Sequence, residues 1–267
     1  MSDRISISIT DGVADVRLNR PDKMNAIDPA MFDALVEAGA TLADDKSVRA
    51  VVLSGEGRAF CAGLDFGSFR KMGDGDSTAP GRLTTRTHGI ANRAQQAVWT
   101  WRQLPVPVIV AITGVAFGGG CQIALGGDIR LIAPDARMSV LEIKWGLVPD
   151  MAGLAIMRSV LRDDVARELT YTGRQVTGQE AVDLGLATRV EADPHAAAMD
   201  MAREIAGKNP DAIRGAKRLL NLVEDADEAA ILMAESVEQE ALIGSPNQVE
   251  AVKAWMQDRA PVFRDAG

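Results

Sequence analysis

Residues 105–125 read PVPVIVAITGVAFGGGCQIAL, and no other stretch narrows the possible folds as much. The apolar run 106–117 is about half the ~20 residues that a membrane-spanning helix needs, so it predicts a strand buried on both faces. Three glycines then break the strand and a helix follows. That order leaves backbone N–H groups unpaired at the turn, where an anion or a polarised oxygen can accept from them. A second stretch, 58–65 (RAFCAGLD), likewise ends an apolar run in a glycine. The two turns together predict one site built from main chain.

Few cations are available to meet a ligand there. The 267 residues hold 29 Lys and Arg against 37 Asp and Glu, a net charge of −8, and the isoelectric point is about 4.9. This balance repels nucleic acid, and no basic run offsets it. An anionic ligand would need a few well-placed cations. The N-terminal MSDRISISITDG lacks an apolar core behind basic residues, so no signal peptide is expected and a soluble, cytoplasmic protein is. Cys61 and Cys121 suit neither a disulfide framework nor a zinc motif, and no His/Asp/Glu cluster has ligand spacing, so no metal is expected.

Along the chain, Ile5, Ile7 and Ile9 alternate with polar residues, Asp11-Gly12 supplies a turn, and Ala14, Val16 and Leu18 alternate again, which predicts a hairpin. Asp28-Pro29 reads as an N-cap with proline at the first helical position. A buried strand over 49–54 leads to the first glycine turn. Residues 70–86 shift to Gly, Asp, Ser, Thr and Arg and read as a surface segment or lid, before a helix over 87–103. After the glycine turn come a helix to about 126 and a strand around 129–133. Residues 177–180 have capping-box spacing ahead of a short helix, and a strand over 187–190 follows. The βαβ alternation predicts an α/β fold with parallel sheet covered by helices. Beyond Asp193 the chain turns rich in alanine, glutamate and lysine, with breaks at Asn209-Pro210, Asp225 and Ser245-Pro246. That composition predicts about four helices, an amphipathic tail suited to packing on a neighbouring subunit. The expected division is a core over 1–194 and a helical oligomerisation segment over 195–267.

The glycines do not fit other phosphate-binding or nucleophile motifs, since neither GK[ST] nor GxSxG is present. The series RPDKMNAI, AFCAGLD, GVAFGGGCQIALGGDIRL and TGRQVTGQEAVDLGLATRV instead resembles the crotonase family of enoyl-CoA hydratases and isomerases, along the whole chain to the closing QDRAPVF. The resemblance implies a crotonase-like spiral of repeated ββα units with a C-terminal helical trimerisation segment. The assembly it implies is a homotrimer or a dimer of trimers.

It also implies an acyl-CoA thioester whose carbonyl oxygen lies between the backbone N–H groups of Leu64 and Gly119, with the helix beginning near Gly120 adding its positive end. Coenzyme A would be part of the substrate, with no separate cofactor. Hydratases of this family carry two glutamates; the corresponding positions here are Gln122 and Glu142. A glutamine cannot exchange a proton, which counts against two-glutamate hydration. Asp150, eight residues on, matches a carboxylate of the dienoyl-CoA isomerases, although those tend to have an aspartate where this chain has Gln122. Double-bond isomerisation is therefore the preferred expectation, with hydration or a non-catalytic acyl-CoA binder as alternatives.

Helix capping is the structural alternative for Asp150, and capping or ion pairing for Glu142. By the same resemblance Arg20, Lys23 and Arg58 are candidate phosphate partners, Ala62 and Asp65 lie along the CoA path, and Trp255 offers an aromatic contact, while Asp258 replaces an expected basic residue. Phe66, Phe69, Met72, Trp101 and Trp145 are candidates for lining the acyl pocket. His88 and His195 stand outside the motifs.

Overall fold

The computed structural model describes residues 3–67 and 83–267. The lid expected over 70–86, in its portion up to 82, and the pocket candidates Phe69 and Met72 lie outside the described residues. Strands β1 (Ile5–Thr10) and β2 (Val13–Leu18) form the expected antiparallel hairpin, with Asp11 and Gly12 both at positive φ in its turn. Helix α1 (Pro29–Asp44) follows, capped as expected by the Asp28 carboxylate, which accepts from Met31 N at 2.8 Å. The chain then enters β3 (Ala50–Gly55), which pairs parallel with β2.

Alternation within the strands decides which helices cover which face. In β3, Val51 and Leu53 join the cluster under α1, whereas Ala50 and Val52 join a second cluster on the opposite face. Strand β4 (Val108–Ile112) repeats the split: Val108, Val110 and Ile112 face the first cluster, and Ile109 and Ala111 the second. Both faces are apolar because helices lie on both sides. The first face is covered by α1 and by α2 (Arg93–Gln103), which contributes the fully buried Trp101. A far helix (Pro194–Ala206) covers the second face with a stripe of Ala198, Ala202 and Ala206 spaced one turn apart.

The stretch 105–125 departs from the single strand expected of it. Thr113 and Gly114 divide it into β4 and β5 (Val115–Phe117), and β5 belongs to a different sheet. Gly114 sits at φ +60°, where a Cβ would stand 2.0 Å from Arg58 O, so only glycine lets the chain switch sheets there. After α3 (Gly119–Leu125) the pattern recurs: β6 (Ile129–Ile132) joins the large sheet and β7 (Arg137–Ser139) the small one. The large sheet runs β1-β2-β3-β4-β6 and ends in a short strand at Arg189–Val190; every pairing after the hairpin is parallel.

Two local expectations shift. Helix α2 begins at Arg93 rather than near 87, because Asn92 and Gln95 form a reciprocal capping box. The capping-box spacing at 177–180 makes no side-chain cap, since the Glu180 carboxylate is drawn to Arg174 instead.

Downstream, α4 (Gly153–Val160), α5 (Asp163–Thr172), α6 (Gly178–Leu184) and α7, the Pro194–Ala206 helix described above, lead into α8 (Pro210–Leu222), α9 (Glu228–Leu242) and α10 (Pro246–Met256). Their breaks fall where the sequence placed them, capped by Asn209, Asp227 and Ser245. Lys217 of α8 fastens this segment to the core. Its buried ammonium donates to Val106 O and to Asp128 Oδ2, both at 2.8 Å. Among the described residues no helix is long and apolar enough to cross a membrane.

Candidate active site

The two glycine turns meet. Cys61 forms a parallel bridge with Ala116, donating to Val115 O and accepting from Phe117 N, so the first turn adds itself to β5 as a rudimentary strand. Just beyond, a Cβ built on Gly63 would stand 2.6 Å from Phe117 O and 3.8 Å from Gly119 N. Gly63 also holds φ +91°, so a side chain there would both strain the backbone and wedge the turns apart. The N–H groups of Leu64 and Gly119 donate to no acceptor among the described residues.

The motif RPDKMNA braces the first turn. Ala62 N donates to Met24 O, Ile27 N to Gly63 O and Asp65 N to Ile27 O. Asn25, fully buried, accepts from Arg20 N at 2.8 Å and donates to Ala59 O at 2.8 Å and Glu56 O at 3.0 Å. Asn25 was absent from the candidate residues. Its only signal was membership of that motif.

Gln122 and Glu142 are 20 residues apart in sequence and in direct contact. Gln122 Nε2 donates to Glu142 Oε1 at 2.6 Å, while Gln122 Oε1 accepts from Met151 N at 2.9 Å and from Gly153 N at 3.0 Å. Glu142 opens a short 3-10 turn (Glu142–Trp145), and a Cβ on Gly118 would lie 3.5 Å from its Oε1. Its other oxygen, Oε2, is buried and, among the described residues, has no hydrogen-bond partner. Burial pushes the Glu142 carboxyl above the usual carboxylate range, against the pull of its own backbone N–H and of the Gln122 amide, and the charge of Asp150 adds to the rise. Capping and ion pairing do not account for Glu142: among the described residues no cation pairs with it, and the 3-10 turn that it opens has no side-chain cap.

Asp150 is exposed by surface area yet crowded enough that desolvation raises its carboxyl too. The capping alternative for it is corrected: α4 starts at Gly153 behind Ala152, a left-handed residue at φ +70° that makes no side-chain cap.

The other candidates divide. Arg20 and Asp65 pair with each other at 2.7 Å, and Arg20 also donates to Ala26 O, so both charges are committed to the brace. Lys23 and Arg58 are exposed, and among the described residues no carboxylate engages either. Phe66 meets Trp145 edge to face, with ring centroids 5.6 Å apart, whereas Trp101 is a core residue that donates to Ala97 O. Trp255 is 83% exposed on α10. Both cysteines are buried, and burial pushes their thiols up to about 12, which removes them as nucleophiles. His195 bonds Asp15 at the start of α7, away from the turns. A groove of about 400 Å³ between α8, α9 and the C-terminal residues is lined by Arg214, Arg218, Glu238 and Arg264 and includes none of the site residues.

The arrangement thus sets two free backbone donors beside a buried carboxyl with one uncommitted oxygen. Such a set can stabilise negative charge on an oxygen while a proton moves nearby.

A family model described as enoyl-CoA hydratase/isomerase matches residues 8–266. The chain is 32% identical to the mitochondrial Delta(3,5)-Delta(2,4)-dienoyl-CoA isomerase of Mus musculus, over 95% of this chain and 80% of that one. It is 34% identical to a Mycobacterium tuberculosis protein named probable enoyl-CoA hydratase echA6, over 98% of this chain and 100% of the other. Among solved structures, an enoyl-CoA hydratase of Mycobacterium smegmatis superposes with a TM-score of 0.85 at 30% identity, covering 98% of this chain and 99% of that one.

Proposed function

The chain belongs to the enoyl-CoA hydratase/isomerase family, and on that premise we propose that it shifts a double bond in an unsaturated acyl-CoA thioester. The Leu64 and Gly119 N–H groups hold the thioester oxygen. Removing a proton next to the thioester puts negative charge on that oxygen, and each fixed donor is worth roughly 3 kcal/mol against it in a dry site. Glu142 Oε2 takes the proton from one carbon, leaving a conjugated enolate, and returns it to another carbon of the same enolate. The carboxyl ends as it began, so no water or second reactant is consumed. Asp150 stands close enough to raise the Glu142 carboxyl and is a second group able to hold a proton.

One observation carries the preference for isomerisation over hydration. The position facing Glu142 holds an amide that cannot exchange a proton, bonded to Glu142 itself. Coenzyme A enters as part of the substrate. Lys23 and Arg58, the uncommitted cations beside the first turn, meet its phosphates, and Ala62 flanks its path. The chain works in the cytoplasm as a homotrimer or a dimer of trimers, with Trp255 on an exposed face open to ligand or neighbour.

The purified protein is offered 2-enoyl-, 3-enoyl- and 3,5-dienoyl-CoA, and the absorbance of the conjugated thioester is followed. Conversion of the 3-enoyl or dienoyl substrate is expected. Rapid loss of the 2-enoyl signal with a hydroxyacyl product would make the enzyme a hydratase, with Glu142 activating water. Binding without turnover of any of the three would leave a passive acyl-CoA binder.

A further inference from the structure

We propose that Gln122 is a positioning residue, a clamp that dedicates one oxygen of Glu142 to structure and leaves the other, Oε2, as the proton carrier. This rests on the isomerase reading for its chemistry but not for its geometry. A side-chain amide can present either end to a neighbour, and here the main chain chooses. Met151 N and Gly153 N both point at one end of Gln122, so that end must be the carbonyl oxygen. Turning the amide over would set its NH2 against two N–H donors. With the oxygen held, the NH2 necessarily faces Glu142 and donates to Oε1. Gly153 completes the fit, because a Cβ there would lie 2.7 Å from Gln122 Cγ.

The consequence for Glu142 is a division of labour. Oε1 is satisfied by the clamp, and Oε2 is buried without a partner among the described residues. A buried carboxylate oxygen left in that state is costly unless it holds a proton or meets a ligand atom. Because a single oxygen both removes and returns the proton, the two carbons that exchange it must lie on the same face of the bound acyl chain. The clamp thereby selects substrates that can present both carbons to one point, as a 3-enoyl thioester does with C2 and C4, only two bonds apart.

A glutamate at 122 could not act as this clamp. One of its oxygens would keep the two backbone bonds, and the other would take the place of Nε2, in contact with Glu142 Oε1. Two carboxylates at that separation share a proton.

The test reads Glu142 directly. The full chain is labelled at glutamate side-chain carboxyls with carbon-13, and the Glu142 signal is assigned by its absence in Glu142→Gln. It is then titrated in wild type, Gln122→Met and Gln122→Glu. The other groups that face this carboxyl, Asp150 and the Cys121 thiol, are unchanged in all of them. Gln122→Met removes the donor, so the Glu142 midpoint is expected to rise, the acid dissociation constant falling about tenfold or more. Gln122→Glu is expected to replace one step by two coupled ones, the upper lying above the wild-type midpoint.

A midpoint unmoved in both variants overturns the clamp, whatever happens to stability. Kinetics on 3-enoyl-CoA separate the two proposals: the clamp predicts a lower kcat with KM little changed in Gln122→Met. Shifted midpoints in a protein that turns over none of the thioesters would sink the isomerase reading and leave the clamp standing. Turnover with unmoved midpoints would do the reverse.

Discussion

The Glu142 carboxyl is shifted by losing water rather than by gaining a cationic partner. Burial raises its carboxyl, and Asp150 pushes the same way. The folded chain therefore binds the Glu142 proton more tightly than the unfolded chain does. The stability this contributes is complete below the ordinary carboxylate range and is lost as pH rises through the raised value. Glu142→Gln stays neutral throughout, so its Tm should exceed that of wild type at neutral pH, with the gap closing as pH falls into the carboxylate range. Turnover should drop about 10²- to 10⁴-fold. Thermal unfolding across that pH window, alongside initial rates, checks both; a gap in Tm that does not vary with pH would remove burial of charge as its cause. The pair Gln122 and Glu142 was legible in the sequence as two positions of a pattern. Their contact was not, because the amide's orientation depends on Met151 N and Gly153 N, backbone groups that carry no residue-type signature.

At the scale of elements, the site depends on segments that are not regular structure. The brace over residues 20–27 holds the Leu64 turn through main-chain bonds, and its own shape depends on Met24 and Asn25, both at positive φ. Asn25 satisfies one donor and two acceptors, and the acceptor on Ala59 would otherwise be buried and unpaired. Asn25→Ala should cost about 2–4 kcal/mol in denaturant unfolding and should raise KM for acyl-CoA, because the freed turn carries one of the two N–H donors. Stability within error of wild type would mean that the brace is held by its backbone bonds alone. Here the limits of sequence reading have a physical form. The Asp28 cap was legible because a cap is local, acting three residues away. The role of Asn25 was hidden because it reaches Glu56 and Ala59, more than thirty residues on. The capping alternative for Asp150 could not be dismissed from sequence, because the chain turns through left-handed Ala152, a conformation that alanine does not advertise.

For the whole molecule, the division between covered and bare surfaces points outward from the core. The alternation in β3 and β4 and the alanine stripe of Pro194–Ala206 close both faces of the large sheet, and that much follows from periodicity read in the sequence. Helix α9 closes nothing. It has no buried residue, and Leu232, Met233 and Val237 are 62%, 66% and 57% exposed. These residues lie within two turns of one another, so they form a patch rather than scattered exposure. A helix tied to α8 by the Arg218–Glu238 ion pair, whose arginine is exposed, gains little from that pair alone, so its position calls for another contributor. A neighbouring subunit would supply one, and the homotrimer or dimer of trimers proposed above would put three or six copies in contact. Light scattering on the purified chain should then give three or six times 28.4 kDa, and Leu232→Glu with Met233→Glu should lower that mass. Because the same charges cost an exposed helix little in a monomer, the far-ultraviolet circular dichroism of the double variant should remain that of wild type. A monomeric mass for wild type, or an assembly indifferent to the two charges, would show that α9 is not the joining surface.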